Sequence, residues 1–302
     1  MRRGINFGNA LEAPSEGEWG ITIQDTDISN IAKTGFSTIR VPIRWSAHAS
    51  VAPPYVIEPA FLQRIGHVAR VGLDNGLVVV VNMQHYEELF ADYQTHRARF
   101  VELWRQIADY FKDYPSGLVF ELLNEPHDSV SAGVWNALVA ETLAVVRTTN
   151  PMRNIVVGGI EYNSIHALTM LKLPTDPNLI ATFHYYSPMN FTHQGAEWMP
   201  GSDKWLGTDW EGNTHDKNSV DFDLDLVKQW SLETNRAVWM GEFGAYNKAE
   251  LSARARWTNY VAREAERRGF AWSYWEYASG FGAFNRGTDS WVEPLRQALV
   301  PN

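Results

Sequence analysis

Eight short apolar runs, each followed by a longer stretch, constrain this chain more than any other feature: Gly4 to Gly8, Thr38 to Ile43, Leu77 to Met83, Leu118 to Asn124, Asn154 to Gly159, Ile180 to Tyr186, Ala237 to Gly244 and Ala271 to Tyr277. Val78-Val79-Val80-Val81 is apolar without alternation, the pattern of a parallel strand covered on both faces. The cover comes from segments with apolar residues at three- and four-residue spacing: Glu58 to Asn75, His96 to Lys112, Ala132 to Thr149 and Lys248 to Arg268. Strand and helix alternating eight times predict an α/β chain closed into a single (β/α)8 barrel, the TIM-barrel architecture. An open doubly wound sheet is the alternative, but Gly4-Ile5-Asn6-Phe7-Gly8 is not followed by the third glycine of its fingerprint. No Pro/Ser-rich linker, charge block or long-period repeat divides the 302 residues. Residues 1–302 are therefore expected to form one domain with no accessory module, a length that one barrel can absorb.

Charge and composition narrow the partners. Lys and Arg number 26 against 35 Asp and Glu, a formal charge of −9 with no basic run, so neither nucleic acid nor an anionic membrane is an expected partner. No stretch of roughly 18 apolar residues is present. Thirteen Trp, twelve Tyr and fourteen Phe suit a partner with flat C–H faces, such as a sugar, although an aromatic core accounts for them equally well until positions are considered. The absence of cysteine excludes disulfides, thiolate metal sites and cysteine nucleophiles. Met1-Arg2-Arg3 runs straight into Gly4-Ile5-Asn6-Phe7-Gly8, without a signal peptide's apolar region. Location stays open between secretion, with a leader absent from this sequence, and the cytoplasm. A monomer is expected.

Chemistry concentrates at strand ends, which form the active rim of this architecture. Strand four ends in Asn124-Glu125-Pro126, where Pro126 lacks a backbone donor and stops further pairing. Strand seven ends in Gly241-Glu242-Phe243-Gly244, an acid inside an apolar run that must be paired, protonated or functional. Either Glu alone has an ordinary explanation, a cap or a salt bridge. Together they face one another across the barrel mouth, and paired carboxylates cleave glycosidic bonds. A separation near ~5 Å permits direct attack on the anomeric carbon and roughly 6.5–9.5 Å leaves room for water, so the residues alone leave the stereochemistry open. Arg40, His85, His184, Tyr186 and Trp275 also lie at strand ends. Arg40 and Tyr186 are placed to keep Glu242 ionised, solvent exclusion around Glu125 would favour its protonated form, and Asn124 can bond a sugar 2-hydroxyl. His48, His67 and His96 read as surface or structural residues. The stretch from Ser187 to about Asn218, with Trp198, Trp205 and Trp210, is the longest irregular region, and loops of that length are usually functional.

Arg40, His85, Asn124-Glu125-Pro126, His184-Tyr185-Tyr186, Glu242 and Trp275 together resemble the pattern of glycoside hydrolase family 5, the cellulase A family, over Gly4 to about Leu299. The resemblance implies Glu125 as acid/base, Glu242 as nucleophile, and double displacement with retention. Gly8-Asn9-Ala10-Leu11-Glu12, Phe191 to Trp198 and Gly241 to Tyr246 are similar to thermophilic endoglucanases of that family that also act on mannans. Those relatives imply sugar-holding roles for Asn9, Glu12, His193 and Trp198. Where they often carry two adjacent histidines after strand three, this chain has Gln84 beside His85; glutamine keeps a donor and an acceptor but cannot titrate. The implied substrates are β-1,4-linked and mixed-linkage glucans, with mannan second, and no metal or organic cofactor is expected. A metal-dependent barrel hydrolase would want a His-x-His pair on strand one, which Gly4 to Gly8 does not supply. A phosphate-handling barrel would want glycine-rich loops after strands seven and eight, and Ala278-Ser279-Gly280-Phe281-Gly282 fits a sugar better. A non-catalytic sugar-binding barrel would keep the tryptophans and lose a carboxylate.

Overall fold

The computed structural model describes residues 1–301. Eight strands, β1 (Arg3–Asn6), β2 (Thr38–Val41), β3 (Val78–Asn82), β4 (Leu118–Glu121), β5 (Ile155–Gly158), β6 (Leu179–Tyr185), β7 (Ala237–Phe243) and β8 (Ala271–Tyr274), pair in sequence order. β1 also pairs in parallel with β8 and closes the barrel. Each strand falls within, or one residue outside, its apolar run, and each ends before its run does. β4 stops at Glu121, so Asn124 and Glu125 stand beyond the pairing. Among the described residues no helix is long and apolar enough to cross a membrane.

Helices at Asp25–Thr34, Pro59–Asp74, Tyr93–Tyr110, Ala132–Val146, Thr214–Thr234, Leu251–Arg267 and Glu293–Leu299 surround the barrel. Pro59 opens one of them in the first turn, where its missing N–H costs nothing. Alternation is imperfect after β5. There the cover is a short turn at Ile160–Asn163 and a 3-10 segment at His166–Met170, since Pro174 and Pro177 leave no room for a long helix before β6. The irregular region after β6 is also shorter than expected. A helix begins at Thr214 because the Asn213 side-chain oxygen accepts from the Asp216 N–H at 3.0 Å and the Asp216 carboxylate accepts from the Asn213 N–H at 3.3 Å.

Alternation within each strand divides the core in two. Ile39, Val79, Val81, Phe120 and Met240 face outward and pack under the helices. Val80, Val119, Val156 and Trp239 fill the barrel interior as a separate cluster. One break in this alternation sets the site. Phe183 pairs with Met240 but His184 pairs with Glu242, leaving Gly241 as the extra residue of a bulge in β7. Without it, strict alternation would send Glu242 to the helix side with Met240; the bulge turns it to the mouth. Gly241 fits because a Cβ there would come to 2.7 Å from Thr182 Oγ1.

Candidate active site

Arg40, in the middle of β2, is fully buried and points into the barrel. Its guanidinium donates to Glu121 at 2.6 and 2.9 Å, to Glu242 Oε1 at 2.6 Å, to Asn6 Oδ1 at 2.9 Å and to Asn124 Oδ1 at 2.7 Å. A buried guanidinium is tolerable only with its donors satisfied and its charge balanced. Glu121 and Glu242 do both, holding Arg40 protonated against its burial.

Glu242 has three polar partners. Tyr186, one residue past β6, donates its hydroxyl to Oε2 at 2.8 Å, and His184 Nδ1 lies 3.6 Å from the same oxygen. Burial alone would raise the carboxyl, but the charges of His184 and Arg40 with the hydrogen bonds from Tyr186 and Arg40 hold it below the usual carboxylate value. Burial and the two glutamates raise the Tyr186 phenol well above its ordinary value, so it remains a donor.

Glu125 accepts from His184 Nδ1 at 2.7 Å. Its φ of 48° lies in the left-handed region, as do those of Asn9 (62°) and His85 (51°), strain of a kind that collects at functional sites. The expectation that solvent exclusion marks out Glu125 is not met: its side chain is 27% exposed against 6% for Glu242. The two acids differ instead in their partners, because Glu125 follows the end of β4 on an unpaired turn while Glu242 is drawn inward by the bulge. Burial would lower the His184 imidazole, but Glu242 and Glu125 outweigh it and raise its pKa. One ligand atom each from Glu125, His184 and Glu242 lie within 4.8 Å of one another, the one cluster among the described residues with metal-ligand chemistry. Arg40 and Tyr186 already occupy both Glu242 oxygens and Glu125 occupies His184 Nδ1, so those donor atoms are committed within the protein.

Of the other residues singled out in the sequence, some stand near this centre and others do not. Trp275 follows β8, and its ring packs where a Cβ on Gly8 would stand, 2.9 Å from Cζ2. His193 is buried, edge-on to Tyr186 at 4.9 Å, with burial lowering its pKa to about 4. Trp198 is 57% exposed beside Tyr246 and Phe281. Trp205 is half-buried, and Trp210 is core, packed on Tyr260. Gln84 is buried, its side-chain oxygen accepting from Asn82 at 2.6 Å. His85 is not brought to either catalytic-type acid; its ring lies 3.6 Å from Glu87 and edge-on to Trp19 at 5.8 Å. Glu12 accepts from the N–H groups of Asn9 and Ala10. His48, His67 and His96 meet Phe61, Asp25 and Tyr86, away from the centre.

Several members of the constellation were not singled out from sequence. Asn6 and Glu121 are the last residues of β1 and β4, and their signal was a polar residue inside an apolar run. Asn6 donates to the carbonyls of Gly241 and Tyr274, both at 3.1 Å, and so ties the bulge to β8. Glu276, beside Trp275, is buried with one oxygen unpartnered. Burial, then the nearby Glu12, push its pKa up to about 8, and burial against the backbone donors leaves Glu12 at about 7.

A family model described as cellulase, glycosyl hydrolase family 5, matches residues 5–280. Endoglucanase H of Acetivibrio thermocellus is 35% identical over 305 residues, covering 99% of this chain and 33% of that protein. The chain thus spans about a third of that relative's length. Among solved structures, endoglucanase Cel5A from the hyperthermophilic Thermotoga maritima is 47% identical, with 99% of this chain and 97% of that one covered and a TM-score of 0.97. Structures of that protein in complex with cellobiose and with mannotriose match at 46% identity over the same shares, with a TM-score of 0.98. With the family model matching nearly the whole barrel, and relatives of this identity aligned end to end with the chain, the protein belongs to glycosyl hydrolase family 5, the cellulase family.

Proposed function

We propose that this chain is a retaining endo-β-1,4-glucanase acting on cellulose-type and mixed-linkage glucans, with Glu125 as acid/base and Glu242 as nucleophile. The observation that carries the reading is the Glu125–His184–Glu242 cluster: one carboxylate oxygen of each acid lies within 4.8 Å of the other, which fits the closer carboxyl pair of the retaining class, about 5–5.5 Å, better than the wider gap that admits a water. In the first step Glu242 forms a bond to the anomeric carbon as the glycosidic C–O bond breaks and Glu125 gives its proton to the departing oxygen. In the second, Glu125 takes a proton from water as that water displaces Glu242, releasing the sugar in its original configuration.

The supporting roles follow from the geometry. Arg40 and Tyr186 keep Glu242 anionic, and His184 bonds Glu125 and faces Glu242. Asn124, its carboxamide oxygen held by Arg40, offers its NH2 to the sugar 2-hydroxyl. Trp275, Trp198 and His193 supply sugar-facing surface, joined by Asn9 and Glu12 from the loop after β1 and by Gln84 and His85 from the loop after β3. An open rim with aromatic residues suits a long chain entered at any point. Mannan is a second substrate class, favoured by the mannotriose complex of the Thermotoga relative. The test is release of reducing sugar from carboxymethyl cellulose, barley glucan and glucomannan, with product sizes. The expected result is activity on the glucans with mixed oligosaccharide products, falling by ~10⁴-fold or more in Glu242→Ala. Full activity in that variant contradicts the mechanism, and a single short product contradicts endo action.

A further inference from the structure

The loop after β5 takes a backbone path that needs a reason. Glu161, Tyr162 and Asn163 have φ of 54°, 59° and 56°, three successive non-glycine residues in the left-handed region, where Cβ crowds the following carbonyl oxygen. Such strain persists only where the surroundings impose it. The Tyr162 N–H donates to the carbonyl of Pro126 at 3.4 Å, which ties the loop to the turn carrying Glu125. What the strained path delivers is the Asn163 side chain, fully buried beside His184. Its carboxamide fills the space that Gly158 leaves open, where a Cβ would come to 2.1 Å from Oδ1.

Asn163 Nδ2 lies 3.3 Å from His184 Nε2. The other ring nitrogen, Nδ1, stands 2.7 Å from Glu125 Oε1 and 3.6 Å from Glu242 Oε2. The bond made by one imidazole nitrogen sets the orientation and the hydrogen of the other. An amide nitrogen only donates, so Nδ2 suits a neutral ring with its hydrogen on Nδ1. Asn163 Oδ1 is buried without a partner, and it is the atom that a charged ring requires. Turned over about its Cβ–Cγ bond, the amide would offer Oδ1 to an Nε2–H. Glu242 and Glu125 favour that charged ring by raising its pKa. In either charge state Asn163 engages Nε2, and Nδ1 carries the hydrogen that Glu125 accepts.

We propose that Asn163 is a positioning residue for the acid/base, gripping His184 at Nε2 so that its Nδ1–H stays on Glu125 Oε1. The inference rests on the glucanase reading above. With Oε1 accepting from His184, the proton of Glu125 is left to Oε2, the oxygen that gives it to the departing glycosidic oxygen. A ring released at Nε2 turns away or shifts its hydrogen to Nε2. A bare Nδ1 then accepts the very proton that Glu125 should pass to the leaving group. Asn163 is buried and acts only through His184.

The test compares cellopentaose, whose leaving sugar needs a proton, with β-cellobiosyl fluoride, whose fluoride departs without one. Asn163→Gly removes the amide and tolerates the left-handed φ; Asn163→Asp keeps the shape and an acceptor for Nε2–H. The ratio of kcat/KM for cellopentaose to that for the fluoride is expected to fall about tenfold in Asn163→Gly, a fraction of what a general acid supplies, and to recover in Asn163→Asp. In spectra of 15N-histidine-labelled protein, the His184 Nδ1–H should be protected from exchange in wild type and Asn163→Asp and lost in Asn163→Gly. The ratio cancels any loss of folded protein, so an unchanged ratio in Asn163→Gly overturns the proposal even in a destabilised variant. Wild type inert on both substrates would sink the glucanase reading, while the Nδ1–H signal would still decide whether Asn163 holds the ring.

Discussion

Burial alone would neutralise Glu242, yet two cations and a phenol reverse that tendency. Tyr186 is the partner whose removal changes the least else, since phenylalanine keeps the ring against His193. Tyr186→Phe deletes one hydrogen bond to a carboxylate, which raises the Glu242 pKa toward its buried value. The acid limb of kcat/KM should move to higher pH, and the plateau should fall about ten- to hundredfold. A pH–rate profile with an unmoved acid limb contradicts this. At this scale the sequence was informative where a polar residue stood toward the rim of the barrel, as with His184, Tyr186 and Glu242, and where a lone arginine stood within an apolar run, as with Arg40. It was silent where position depends on a torsion angle or on strand parity. A left-handed φ at Glu125 or Tyr162 has no signature in residue type, and in a strand buried on both faces nothing in Leu118-Val119-Phe120-Glu121 says which side Glu121 takes.

Elements were legible through their apolar runs and less so at their ends. The segment after β5 lacks a helix, and the β7 bulge, which aims Glu242, shows in the sequence only as Gly241 before it. Loops carry the rest of the site. Those after β1 and β8 bring together Glu12 and Glu276, with pKa values pushed up to about 7 and about 8. A carboxyl raised in the folded state favours its neutral form there, whereas the unfolded chain releases that proton above the ordinary 4.5. Their contribution to stability is therefore full below pH 4.5 and is lost as pH rises to 8. Thermal unfolding across that window should show wild type losing several degrees of Tm relative to Glu276→Gln, whose amide does not titrate. A wild-type-to-variant difference that stays constant with pH contradicts the assignment.

The whole molecule gathers these elements around one mouth. Barrel closure puts β4 and β7 across from one another, and the central Arg40 links both walls through Glu121 and Glu242. A net charge of −9 suits a neutral polysaccharide better than a polyanion. The central claim is the division of labour between Glu125 and Glu242, and covalent trapping tests it most directly. A 2-deoxy-2-fluoro-β-cellobiosyl fluoride slows both steps, and its good leaving group lets the glycosyl-enzyme accumulate. Intact mass followed by peptide mapping is expected to show one cellobiosyl-type adduct, on Glu242. An adduct on Glu125, or none on an enzyme that hydrolyses β-glucan, would contradict the account.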